Sequence, residues 1–113
     1  MDERNLIVTT RMSARPEPWD DLFGALRGMI EPTRVEPGCV SCDLYRSAEE
    51  EHSLCLMERW ATAESLQQHL RTRNYKHLLA LMDLLDTPPD MQIHFTLETV
   101  EGLEYAASVL EER

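Results

Sequence analysis

The order in which hydrophobic period changes along the chain constrains its fold most. Leu6 to Ser13 begins apolar and then alternates through Thr10, Arg11 and Met12, the two-residue period of a strand. Pro16 and Pro18 end it, and from Trp19 the apolar residues fall at Leu22, Phe23, Leu26, Met29, Ile30 and Thr33, the spacing of one helical face. Pro32 is placed to kink that helix near its end, and Glu36-Pro37-Gly38 reads as a stop and turn. Cys39 to Arg46 and His52 to Trp60 follow as two strands joined by the acidic Ser47 to Glu51 connection.

Thr62 can cap a short helix to about Arg71, and Asn74 the next, on which Tyr75, Leu78, Leu79, Met82 and Leu85 recur until Pro88-Pro89. Met91 to Thr99 alternates again, and Gly102 to Arg113 has the pattern of an acidic helix with Leu103, Ala106, Ala107 and Leu110 on one side. The order β-α-β-β-α-(α)-β predicts an α+β, ferredoxin-like antiparallel sheet with helices on one face.

Leu6-Ile7-Val8 and Leu54-Cys55-Leu56-Met57 are apolar on consecutive positions, so both faces of two strands ask for cover. Helices supply one cover, and a second copy's sheet supplies the other most economically, which predicts a homodimer. With 113 residues one core can form, so residues 1–113 are expected to be a single domain, with a core over 5–98 and an acidic C-terminal helix over 99–113.

Eleven basic against 21 acidic residues give a formal net charge of -10, which repels phosphate backbones and argues against a nucleic-acid partner. No apolar run reaches the roughly 20 residues of a membrane span, and Met1 to Arg11 lacks a signal-peptide core, so a cytoplasmic location is expected. Cys39, Cys42 and Cys55 are expected to be free thiols. In a regular strand, residues three apart face opposite ways, so the C-x-x-C of Cys39 and Cys42 should neither chelate zinc nor close a disulfide. No ligand cluster with metal spacing and no Gly-rich phosphate loop is visible, so neither metal nor flavin is expected.

Four segments together carry a family resemblance: Glu31 to Cys39, Asp43-Leu44-Tyr45-Arg46, Glu58-Arg59-Trp60, and Leu66-Gln67-Gln68-His69-Leu70. From residue 5 to about 98 the chain resembles the antibiotic-biosynthesis (quinol) monooxygenases. The resemblance implies a dimeric α+β barrel and oxidation of a small aromatic or quinol compound by O₂ without a cofactor. Such chemistry needs an apolar pocket, a base poised near neutral pH, and donors for a developing oxyanion.

His69 matches the family's helix histidine, follows Leu66 at i+3 on an inward face, and is the candidate base. Trp60, at a strand end, could stack on a flat substrate, and Tyr75 could donate a phenolic hydrogen bond. Tyr45, Arg59 and Asn74 are candidate substrate contacts, Asn74 standing where many members carry a second histidine. His52, His77 and His94 are read as non-catalytic. Thr10 and Leu79 occupy the positions where the haem-degrading branch uses asparagine and histidine, and Cys42 replaces a frequent tyrosine. A non-catalytic small-molecule-binding or stress-response dimer on the same scaffold stays open beside the enzyme, while an RNA-binding sheet would need basic charge and sheet aromatics that this chain lacks.

Overall fold

A computed structural model describes residues 5–112; Arg113 of the expected terminal helix, and the first four residues, lie outside them. The chain runs β1 (Leu6–Ser13), α1 (Pro16–Arg34), β2 (Cys39–Arg46), β3 (Ser53–Trp60), α2 (Ala63–Leu70), α3 (Arg73–Met82), β4 (Asp90–Phe95) and α4 (Gly102–Glu111). The four strands form one antiparallel sheet in the order β2-β3-β1-β4. This is the ferredoxin-like plan, with α1, α2 and α3 on one face of the sheet. No helix among the described residues is long and apolar enough to cross a membrane.

Strand parity decides which residues enter the core. Leu6, Val8, Thr10 and Met12 of β1 and Leu54, Leu56, Glu58 and Trp60 of β3 are all buried beneath the helices. Against them α1 lays Trp19, Leu22, Leu26 and Met29, and α3 lays Tyr75, Leu78 and Met82. Full burial of each such side chain contributes about 1.5–3 kcal/mol, so this layer dominates the folding energy. A smaller cluster of Leu6, Val8, Trp60 and Leu66 closes the end of the sheet where β3 leads into α2.

Several boundaries differ from the sequence expectation, each for a local reason. Pro16 does not stand outside α1 but opens it, because a proline in the first turn lacks only an N–H that would have no helical partner. The same helix runs through Pro32 to Arg34. β3 starts at Ser53 rather than His52, whose φ of 58° places it in the turn. Thr72, not Asn74, caps α3: its hydroxyl accepts from the Tyr75 N–H at 3.2 Å and donates to the His69 carbonyl at 2.8 Å. α3 ends at Met82, and the N–H groups of Leu84 and Leu85 turn back to the carbonyls of Leu81 and Met82. β4 stops at Phe95 because its partner strand begins at Leu6, opposite Phe95, and leaves no ladder for residues 97–100.

The largest departure is in β2. A bulge between Cys39 and Ser41 inserts Val40, so Cys39 pairs with Trp60 and Cys42 with Glu58, both inward positions of β3. The two thiols therefore share the helix-facing side instead of opposing one another. Cys39, Cys42 and Cys55 are free.

Candidate acid–base site

The site begins with a tight approach between two turns. After α1, Glu36, Pro37 and Gly38 lead into β2, with Gly38 at φ 83°. A Cβ at Gly38 would overlap the Ser65 side chain in the first turn of α2, so only glycine lets this loop lie there. The loop is tied at the far end of β3 by the Ala61 N–H, which donates to the Gly38 carbonyl at 2.8 Å. Ser65 belongs to a capping box: its N–H donates to the Thr62 hydroxyl at 3.0 Å, and the Thr62 N–H donates to its hydroxyl at 3.3 Å.

These contacts fix Glu36 opposite the last turn of α2. There the fully buried His69 places Nδ1 2.8 Å from Glu36 Oε1. Its other nitrogen, Nε2, lies 3.4 Å from Glu58 Oε1, which also accepts a 2.8 Å hydrogen bond from the Trp60 indole N–H. The His69 ring rests against Trp60 at 4.7 Å and meets the Tyr75 ring edge-on at 5.2 Å between centroids. Tyr75 reaches onward, its hydroxyl 3.4 Å from Met91 Sδ on β4.

Burial sets the electrostatics. Glu58 is almost wholly enclosed, and desolvation raises its pKa against the opposing pull of the Trp60 hydrogen bond and the His69 charge. Burial likewise pushes the Tyr75 phenol up to about 12, with the Glu58 charge adding to it. Cys42 rises to about 12, chiefly by desolvation and then by Glu58. His69 Nδ1 thus makes its short contact with Glu36, while Nε2, facing Glu58 at 3.4 Å, is buried without a hydrogen-bond partner among the described residues. Glu36 keeps about a fifth of its side chain exposed, so the line Glu58, His69, Glu36 leads from the core to solvent.

Three of the six candidates read from the sequence, Trp60, His69 and Tyr75, come together here. The other three do not join them. Arg59 alternates with Glu58 and Trp60 and faces the opposite side of the sheet, opposite Ile7 and Ser41, its Nε buried without a partner among the described residues. Tyr45 lies toward the other end of β2, in a cavity of about 470 Å³ with Arg11, Arg46, Cys55 and Pro88. Asn74 is exposed in the first turn of α3. Sequence reasoning missed Glu58 and Glu36. Glu58 had a signal, because the alternation Leu54, Leu56, Trp60 assigns position 58 to the core and a carboxylate there demands a partner. Glu36 had none, since a glutamate beside Pro37-Gly38 is ordinary turn composition.

Trp60 and His69 are fully buried, and none of the three described cavities includes them. Beside them, however, β4 turns Ile93 and Phe95 to the helix side, where they pair with Val8 and Leu6 but remain 39% and 62% exposed. With Met91 they make an apolar shelf that ends at Tyr75. Among the described residues no group of three or more His, Cys, Asp or Glu side chains is placed to hold a metal ion.

Fold and site thus define a small ferredoxin-like domain with a buried carboxylate–imidazole–carboxylate line at one end of its sheet. The chain belongs to the antibiotic biosynthesis monooxygenase family, whose model matches residues 5–81. It is 38% identical over 82 residues to Rv0793 of Mycobacterium tuberculosis, a protein named as a candidate monooxygenase, covering 73% of this chain and 80% of that one. The solved structure of Rv0793 superposes with a TM-score of 0.78 over 86% of this chain and 99% of its own. The protein sll1783 of Synechocystis is 27% identical over 95 residues; these are 83% of this chain but only 65% of that relative's length. A Deinococcus radiodurans structure, 18% identical with a TM-score of 0.78 over 85% of this chain and 96% of its own, shares the fold.

Proposed function

We propose that this chain is a cofactor-independent monooxygenase that oxidises a small, flat aromatic or quinol-type compound with O₂, acting as a homodimer. The observation that carries this reading is the Glu58–His69–Glu36 line. It sets a carboxyl group whose pKa is raised 3.4 Å from an imidazole that is itself hydrogen-bonded to the part-exposed Glu36, beside an apolar shelf. A substrate with an acidic CH₂ between aromatic rings, as in an anthrone, tests the chemistry. Proton loss gives an electron-rich anion, which adds O₂ to form a peroxide at that carbon. Reprotonation and loss of water leave the ketone, so R₂CH₂ and O₂ become R₂C=O and H₂O with no outside reductant.

In this scheme the Glu58–His69 pair takes the proton, Glu36 passes it to solvent, and Trp60 and Tyr75 border the shelf of Met91, Ile93 and Phe95 on which the substrate lies. The Tyr75 phenol, held protonated by burial, can donate to the developing oxyanion. Dimerisation is supported by the uncovered sheet face, on which Ile7, Thr9 and Cys55 are half-buried and Met57 is 38% exposed without a helix above them.

Complete enclosure of Trp60 and His69 favours a second reading, a non-catalytic small-molecule-binding dimer in which the same line is structural. Oxygen uptake with a panel of quinols and anthrones separates the two. The parent should consume O₂, and His69→Ala should lower the rate by about a hundredfold while staying folded, the range for loss of one general base. Equal turnover by a folded variant would make His69 structural. A parent that quenches its Trp60 fluorescence on binding these compounds, without consuming oxygen, would establish the binding reading.

A further inference from the structure

The terminal helix α4 has no resting place on its own chain. None of its residues is buried: Leu103 is 89% exposed and Leu110 78%, with Tyr105 and Val109 also open. Its last tie to the body lies before it, where the Thr96 N–H and hydroxyl both donate to the Asn5 carbonyl. The radius of gyration, 16.3 Å against about 13 Å for a compact chain of this length, records how far the helix stands off. Ten residues are too few to hold a helix alone in water, so α4 needs a surface to pack on.

Its chemistry is specific. At 100° per residue, Val109, Ala106, Leu110, Leu103 and Ala107 make one continuous apolar face, and Glu104 and Glu111 flank it on one side. With Glu98, Glu101 and Glu112 the segment carries five carboxylates. A matching surface exists at the opposite edge of the fold, between α1 and β2. That groove, about 420 Å³, has an apolar floor of Phe23, Ile30 and Leu44 and a rim of Arg27, Arg34 and Arg46 with one carboxylate, Glu31. Arg34 is engaged by Glu31 and Asp43, at 2.9 and 3.1 Å. Arg27 and Arg46 instead each lie 5.7 Å over the Phe23 ring, with no carboxylate partner among the described residues. On a chain of net charge -10, such a basic, apolar-floored groove is the complement of an acidic amphipathic helix.

We infer that α4 of one copy docks into the α1–β2 groove of a second copy, reciprocally, so that both helices and both grooves are satisfied. The second copy is favoured over the helix's own chain by topology. α4 follows β4, while the groove lies at β2, three strand spacings or about 14 Å across the sheet, with the helix layer between them. A two-fold exchange closes on itself and leaves no open groove to propagate.

The test uses the full chain and charge reversal at exposed positions. One variant carries Arg27→Glu and Arg46→Glu, the other Glu104→Arg and Glu111→Arg. In the parent, the amides of residues 102–111 should exchange at least tenfold more slowly than in the isolated segment as a peptide, in a species that sediments as a dimer. Each variant alone should lose that protection while keeping its thermal transition. Mixing the two should restore it, because in the mixed dimer each helix then meets a groove of opposite charge. Fast exchange in the parent, protection in a monomer, protection insensitive to either reversal, or no rescue on mixing would each overturn the docking. A dimer that persists with α4 unprotected would refute this contact while leaving the sheet-to-sheet association standing.

Discussion

Replacing Gly38 by alanine probes the contact that seats Glu36 against His69. Two costs follow from the geometry. At φ 83° an alanine must occupy the left-handed region, which costs about 1 kcal/mol relative to glycine. Its Cβ must also displace the Ser65 side chain, held in the capping box of α2, and forced overpacking of this kind costs about 1–3 kcal/mol. Together these give about 3 kcal/mol, measurable as a shift of the urea midpoint at unchanged m-value. The two parts separate in a double-mutant cycle with Ser65→Gly, which removes the atoms that the new Cβ meets. In that background Gly38→Ala should cost only the backbone part, so the coupling between the sites should be about 2 kcal/mol. Ser65→Ala keeps its Cβ and should give no such relief. If Gly38→Ala costs less than about 1 kcal/mol, or the same in the parent and Ser65→Gly backgrounds, the close approach of loop and helix is not what positions Glu36.

Glu58→Gln should remove part of the pH dependence of stability. A carboxyl whose folded pKa is raised contributes stability that is fully present below its unfolded pKa and lost as pH rises through the folded value, so the parent should weaken above about pH 4.5. The glutamine variant, which can still accept the Trp60 N–H, should lack that decline when urea unfolding is followed from pH 4 to 8. For the thiols, a Cys42 pKa of about 12 leaves a thiolate fraction of about 10⁻⁴ at pH 8. Brief iodoacetamide labelling, read by mass spectrometry, should therefore spare Cys42 in the native protein and modify it once urea unfolds the chain; rapid Cys42 alkylation in the native protein would show that the strand opens.

Periodicity made the strand and helix order legible from the residues alone, because β1, α1, β3 and α3 each bury one face and their apolar residues repeat at that face's spacing. The same spacing put Trp60, His69 and Tyr75 on inward positions, and they do meet. Parity alone could also have separated Arg59 from Trp60, since neighbours on a strand face opposite ways. Only the tertiary structure decided the rest. Val40 is an ordinary strand residue in the sequence, yet the bulge at that position turns both Cys39 and Cys42 inward, because register depends on the partner strand. Glu36 is thirty-three residues from His69, and nothing local joins them; the meeting requires Gly38 to lie against Ser65. The apolar stripe of α4 was visible as a pattern, but a pattern names a face to be covered and not its cover, which depends on where β4 releases the chain.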